Sequence, residues 1–279
     1  MKVPAAGCYR FQSSIEGMTT EIMYDHNSIL IVAVLFVLIL VAVEAGFRIG
    51  RHQQRNTDED VKVQTNTIQA GTLGLLALIL GFTFNMSLQR YDSRSEAVIN
   101  EANAIGTTLM RTHLLPAPHD SISHMLLQQY IDLRLAISNT EYAMVTEQVA
   151  LDKETRDLQR DIWQQAVKAA QADPNPVTTG FFITSLNNMV IAHSERNALL
   201  AAHVPEVILF LLFTVFIMSG ALIGYGSGLG NRRTLLPSAL MSFLICLVVF
   251  IIIDLDRPNR GIIKVDQRSM EQLKSDKRP

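Results

Sequence analysis

Four stretches of the chain are too apolar and too long for the surface of a soluble protein: Ile29 to Phe47, Ala70 to Leu88, Val207 to Gly226 and Leu235 to Ile253. Each is close to the ~20 residues that cross the ~30 Å hydrocarbon core of a bilayer as a helix. From Ile29 through Val43 every residue is apolar, so a helix there has no polar face to turn to water. The second and third stretches hold no charged residue. The fourth ends at Asp254, Leu255, Asp256, Arg257 and Pro258, where charge and proline stop a helix at the membrane surface. The pattern predicts an all-α polytopic protein of the lipid bilayer, with transmembrane helices over residues 28–48, 69–88, 205–226 and 235–254. Four crossings put both termini on one side. Averaged over 279 residues, the 48% hydrophobic and 18% charged shares look like those of a soluble protein and conceal this division.

The remaining segments follow from the spans. Residues 1–27 form an N-terminal tail without periodicity, 49–68 a short basic loop, 89–204 an extramembrane domain, 227–234 a second short loop and 255–279 a basic C-terminal tail. The apolar run before Cys8, Val3 to Gly7, is shorter than the ~7 to 15 residues of a secretory signal.

The inserted domain has helical periodicity throughout. Val98, Ala102, Ile105 and Leu109 recur at spacings of four, three and four, and Pro116-Ala117-Pro118 ends the run. A second helix starts at His119 with Ile122, Met125, Leu126, Tyr130, Leu133 and Ile137 inward. Leu151, Leu158, Ile162 and Val167 mark a third, which stops at Asp173-Pro174-Asn175-Pro176. A fourth runs from Phe181 through Leu186, Met189, Val190, Asn197 and Leu200 to Pro205, which opens the third span. Only polarity separates Leu88 from Gln89, so the second spanning helix is expected to continue unbroken into this helical bundle.

Several function classes are excluded at this point. A net charge of −2 offers no concentrated basic surface for nucleic acid. Cys8 and Cys246, one in the tail and one inside a span, are read as free thiols. His119 and His124 are five apart and turn about 140° from each other on a helix, His193 and His203 are also off one face, and His26, His52 and His113 are isolated. No metal site, no cofactor and no catalytic motif is expected, and the chain is read as non-enzymatic. No ionisable residue lies near the middle of any span, which disfavours a proton-driven carrier.

The segments GFTFNMSLQRYDSRSEAVINEANAIGTTLMRTHLLP, QQYIDLRL, LNNMVIAHSERNALLAAHVP and DLDRPNRGIIKV resemble, in order and spacing, the bacterial bestrophin-like family. The resemblance covers about Glu44 to Val265. Its most specific piece is Glu101-Ala102-Asn103-Ala104-Ile105-Gly106 after Arg90-Tyr91-Asp92-Ser93-Arg94, and its weakest is Glu141 to Ala172. True bestrophins, to which this family is distantly similar, are pentameric anion channels with a helical cytoplasmic region. The resemblance therefore implies a homo-oligomer, a passive anion pathway and a cytoplasmic domain. The acidic calcium-clasp run of eukaryotic bestrophins has no counterpart here, so calcium gating is not implied.

The residues themselves offer two groups of candidates. Gly71, Gly74, Leu78, Gly81 and Asn85 form one small or polar stripe on the second span, with Phe82 or Phe84 beside it. Such a stripe is either a close-packing seam between helices or the lining of a pathway narrowed by apolar rings. Gly220, Gly224 and Gly228 repeat the ambiguity on the third span. The second group is charged. Glu44 lies at the short-loop end with Arg48, Arg51, Arg232 and Arg233 available, as an interfacial ion pair or a gating group. Asp254, Asp256 and Arg257 lie at the domain end with Arg90, Asp92, Arg94 and Glu206, and Arg90, Asn103 and Arg257 are expected to matter for assembly or gating.

Basic residues flank both membrane faces in nearly equal number, and Glu16, Glu21 and Asp25 before the first helix with four basic residues after it favour an outside N-terminus, which leaves the orientation open; on the other side stand the resemblance and the basic C-terminal tail. Both place the domain on the cytoplasmic side of a bacterial inner membrane. The first functional reading is an oligomeric passive ion pathway. The alternative is a stator-like or scaffold subunit that clasps a single-span membrane partner, and a sensor with a four-helix ligand domain is a third class.

Overall fold

The computed structural model describes residues 27–54, 58–139, 145–231, 233, 235–257 and 262–275. Among these every regular element is helical. The first helix, α1, spans Ser28–Gln53, and α2 spans Glu59–Arg111, followed by one 3-10 turn at Thr112–Leu114. Three domain helices follow: α3 over His119–Asn139, α4 over Val145–Ala172 and α5 over Thr179–Ala201. Two more spans, α6 over Glu206–Leu229 and α7 over Leu235–Asp256, lead to a short helix α8 over Arg268–Ser275. Four of these helices are long and apolar enough to cross a membrane.

Local chemistry fixes the helix ends. Asn27 accepts the Ile29 N–H at 2.9 Å as the N-cap of α1; the rest of the N-terminal tail lies outside the described residues. Pro205 precedes α6, and Pro237 sits in the first turn of α7, where a missing N–H costs nothing. Hydroxyls at Thr72 and Thr83 donate to the carbonyls of Ile68 and Ile79, both at 2.8 Å, so they stay satisfied inside the membrane.

Two of the expected boundaries are corrected. Residues 49–68 are not a loop: α1 continues to Gln53, α2 starts at Glu59, and only 54–58 connect them. No proline or glycine interrupts Glu59 to Ala70, and Glu59 and Asp60 occupy the first turn, where negative charge suits the helix dipole. The segment 255–279 is not a simple tail. Val265 and Met270 are buried, Leu273 packs beside them, and Lys274 reaches Asp132 at 3.2 Å, so the C-terminal segment completes the domain.

The core has two main parts. In the membrane, Leu35, Ile39 and Val43 of α1 meet Leu76 of α2, Leu212 and Phe216 of α6, and Cys246, Val249 and Ile253 of α7. In the domain, Val98, Ala102 and Ile105 of α2 pack with Leu127, Tyr130 and Ile131 of α3, Ile162 and Ala166 of α4, and Phe182, Leu186 and Met189 of α5. Most of the residues expected inward are buried, among them Val98, Ala102, Ile105, Tyr130, Leu133, Ile162, Leu186 and Met189; a few differ. Met125, Val167 and Phe181 are exposed, whereas Leu127, Ala166 and Phe182 are buried. Small and polar residues on the true inward faces, such as Ser123, Arg134, Thr155 and Ala169, weaken the apolar signal that would have marked them.

The glycines of α6 are a packing seam. A Cβ at Gly224 would overlap the Val43 carbonyl oxygen, and one at Gly228 the Phe47 carbonyl oxygen. Gly46 and Gly50 of α1 meet the carbonyl oxygens of Ala221 and Tyr225 in the same way. The backbones of α1 and α6 thus lie in direct contact, the geometry by which helices associate in lipid.

Candidate functional site

The stripe on α2 behaves in the opposite way. A Cβ added at Gly71, Gly74 or Gly81 would meet nothing within 4 Å, and Leu78 and Asn85 are exposed. The opposite side of the same helix, at Leu76, Thr83, Ser87 and Arg94, is the one buried against the chain's own helices. Phe82 is 67% exposed beside the stripe, whereas Phe84 packs toward Val204, Leu209 and Ile252 and does not belong to it.

Composition distinguishes this open face from the other outward faces. Outward residues of α1 include Ile29, Leu30, Val34, Val37, Leu38 and Val41; those of α7 include Leu240, Phe243, Leu244 and Leu247. Those are surfaces suited to acyl chains. On α2 the outward residues mix Gly71, Gly74, Gly81 and Asn85 with the apolar Leu75, Leu78 and Phe82, and beyond the membrane Gln89, Asp92, Glu96, Asn100 and Asn103 are exposed.

Below the membrane, Arg94 binds two helix ends together. Its guanidinium is 1% exposed and donates to the carbonyls of Leu199 and Ala202 at the end of α5, at 3.2 and 2.6 Å. It also donates to Leu255 and Asp256 at the end of α7, at 3.2 and 3.1 Å. These carbonyls have no partner within their own helices, and a cation there opposes the negative end of each helix dipole. Its Nη2 stands 3.7 Å from Asp256 Oδ1. Asp256 Oδ2 accepts the Val204 N–H at 2.9 Å, and Asp254 accepts the N–H groups of Ile262 and Ile263 at 3.0 and 2.9 Å. Arg257 donates to Ser28 Oγ at 2.9 Å, joining the end of α7 to the start of α1. Of the charged residues singled out at the domain end, Arg94 and Asp256 meet where α5 and α7 end, while Asp254 and Arg257 bind the chain that follows α7 and the start of α1.

Further along α2, Glu101 is wholly buried between three partners. Arg134 donates through Nε and Nη2 to the two carboxylate oxygens at 2.8 and 2.9 Å, and Arg196 donates at 2.6 Å. His193 Nδ1 lies 3.2 Å from Oε1, while Asn197 Nδ2 lies 3.0 Å from His193 Nε2. Burial alone would raise the Glu101 carboxyl; the His193 hydrogen bond and the Arg134 and Arg196 charges outweigh it and hold it well below the usual carboxylate range. Burial, and then the Glu101 charge, push the Tyr130 hydroxyl upward. Sequence reasoning finds Glu101 through its motif but misses Arg134, His193 and Arg196. Their signal is register: Phe182, Leu186, Met189, His193 and Arg196 continue one inward face at spacings of four and three.

At the short-loop end, Glu44 accepts from Arg48 Nε at 2.8 Å and lies 3.7 Å from Arg233, whose guanidinium sits 5.1 Å from the Phe47 ring centroid. Arg232 lies outside the described residues. Asn103 is exposed on the open face of α2, away from Glu101. The rings of His113 and His124, unrelated by sequence spacing, stand 5.9 Å apart, and no group of three ligand-type residues forms among the described residues.

A family model described as the Bestrophin-like domain matches residues 31–270. Among solved structures, the chain is similar to a bacterial bestrophin homologue from Klebsiella pneumoniae in a mutant form, with a TM-score of 0.64 and 14% sequence identity. The match covers 88% of this chain and 99% of that one, and at that identity it is a likeness of fold. The comparison with curated proteins finds no match.

Proposed function

Because the chain belongs to the Bestrophin-like family, we propose that it assembles with copies of itself in a bacterial inner membrane and conducts ions passively along the open face of α2. The observation that carries this reading is the stripe of Gly71, Gly74, Gly81 and Asn85. Its three glycines have open space beside them, and with Asn85 they interrupt the apolar residues Leu75, Leu78 and Phe82, whereas the other spans turn continuous leucine- and valine-rich faces outward. Around a symmetry axis such faces would enclose a passage, with Leu78 and Phe82 as the apolar groups able to narrow it. Glu44 and its arginines would lie at one mouth, and the helical domain would continue the passage on the cytoplasmic side. Asp254, Asp256, Arg257 and Arg94 act in this reading as positioning groups that fix α7 and α5 to α2. Glu101 holds the domain behind the lining.

The test is conductance from purified protein in planar bilayers, together with chemical cross-linking to count subunits. A homomeric ring that conducts without added proteins supports the reading. A non-conducting protein that co-purifies with a single-span partner would replace it with the stator-like alternative.

A further inference from the structure

At the short-loop end of the membrane, one line along α1 changes character. Val34, Val37, Val41, Glu44, Arg48 and Arg51 follow at spacings of three, four, three, four and three, which keeps them on one side of the helix. The three valines are exposed, as are Arg48 and Arg51, while Glu44 is half-buried. Acyl chains can lie against such a line as far as Val41. At 1.5 Å per residue, Glu44 to Arg51 then spans about 10 Å, the depth of the headgroup layer. Glu44 also lines a cleft with Phe47, Ser227, Arg233 and Ser238, where the ends of α1 and α6 meet the start of α7.

In this cleft the Arg233 guanidinium is held in place without being used up. Its Cζ stands 5.1 Å from the centroid of the buried Phe47 ring, and its Nη2 is 3.7 Å from Glu44 Oε1, beyond hydrogen-bond reach. Arg233 donates no hydrogen bond among the described residues. Glu44 is engaged instead by Arg48 Nε at 2.8 Å. Three guanidinium groups, those of Arg48, Arg51 and Arg233, therefore face a single carboxylate that is already paired.

We propose that this cleft holds the phosphodiester of an anionic phospholipid, drawn from the leaflet that meets the short loops, with Arg233 as the binding fork. A guanidinium presents parallel N–H donors that match two phosphate oxygens, and the Phe47 ring fixes its plane beforehand. Arg48 and Arg51 add attraction along the same line. A headgroup carrying an ammonium would bring one more cation to a place where cations are in excess. The acyl chains follow Val41, Val37 and Val34, which favours a lipid over free phosphate. Because that line faces lipid, the cluster stands at the outer rim of the proposed passage, and the inference holds whether or not the protein conducts.

The experiment uses purified full-length protein stripped of lipid in neutral detergent. It is given equal amounts of phosphatidylglycerol and phosphatidylcholine with identical chains, and native mass spectrometry reads the lipids retained. Wild type should keep phosphatidylglycerol preferentially. Arg233→Gln should reduce that preference by about fivefold, the scale of one basic residue at a membrane surface. The Arg233 side chain is about half exposed, so the substitution spares the fold. Arg233→Lys keeps the charge but loses the fork and the ring contact, and should fall nearly as far. Glu44→Gln should raise the preference by up to about fivefold, since it removes the one carboxylate; a folding defect would not produce a rise. Equal retention of both lipids by wild type overturns the inference. So does a lysine variant as selective as wild type, because charge alone would then account for binding. Displacement of the lipid by excess inorganic phosphate would assign the cleft to a free anion and overturn the lipid as its occupant.

Discussion

Gly224 of α6 lies so close to Val43 of α1 that a single added methyl group would overlap the Val43 carbonyl oxygen. The obstacle is backbone, which cannot rotate aside as a side chain can. Gly224→Val is therefore expected to cost more than the ~1–3 kcal/mol typical of overpacking, because α1 and α6 must separate. Gly71→Ala, placed in open space, should be neutral or gain up to about 1 kcal/mol in helix propensity. Thermal unfolding in detergent separates the two; equal losses of stability would show that the α2 stripe is also a tight seam.

Glu101→Gln should loosen the domain by roughly 3–5 kcal/mol, since it leaves Arg134 and Arg196 buried without their counter-charge. The same carboxylate predicts an acid response. Its folded-state pKa lies below the ordinary value of 4.5, so its contribution is complete above that pH and drains away as pH falls below it. Wild-type protein should lose stability on acidification through this window more steeply than the Gln variant. Parallel acid profiles for the two proteins would remove Glu101 from the account.

Arg94→Lys is expected to be nearly as damaging as Arg94→Ala. An ammonium is a point charge and cannot span the carbonyl groups at the ends of both α5 and α7, whereas the guanidinium fork does. Leaving those buried acceptors unsatisfied should cost about 3 kcal/mol or more. Limited proteolysis offers the readout, with earlier cleavage near 199–206 in both variants. Lysine behaving as wild type would mean that charge alone suffices.

Single cysteines at Gly71, Gly74, Gly81 and Asn85, in a background with both Cys8→Ser and Cys246→Ser, should react with a membrane-impermeant thiol reagent. Cysteines at Leu76, Thr83 and Ser87 should not, because that side of α2 is covered by the chain itself. Uniform protection along the helix would identify the stripe as a dry contact between subunits and would end the conduction reading.

Run length and helical period are enough to read the four spans and the four-helix insert from sequence, since lipid and a helical core impose those patterns directly. The details that escape share a physical cause. Arg134, His193 and Arg196 occupy positions where apolar residues are expected, and their burial makes sense only once Glu101 is seen between them. Met125 looks inward in the sequence because Ser123 and Arg134 break the apolar line on the true inner face of α3. The eight residues of α8 are too few to show a period, and their place is set by contacts such as Leu273 against Gly106, about 170 positions away in sequence. The α2 stripe is legible as a pattern, but only its lack of neighbours separates it from the superficially similar glycines of α6.

An unbroken α2 of 53 residues is a rod of roughly 80 Å that belongs to the membrane at one end and to the domain at the other. From the middle of its apolar part near Ile79 to Arg111 is about 48 Å, so tilting the rod by about ten degrees about that point sweeps the Arg111 end through roughly 8 Å. Leverage works in both directions. A ligand or partner that shifts the far end of the domain by a few ångströms would turn the membrane segment by only a few degrees, which sets how finely such an input could adjust the face carrying Gly74 and Asn85.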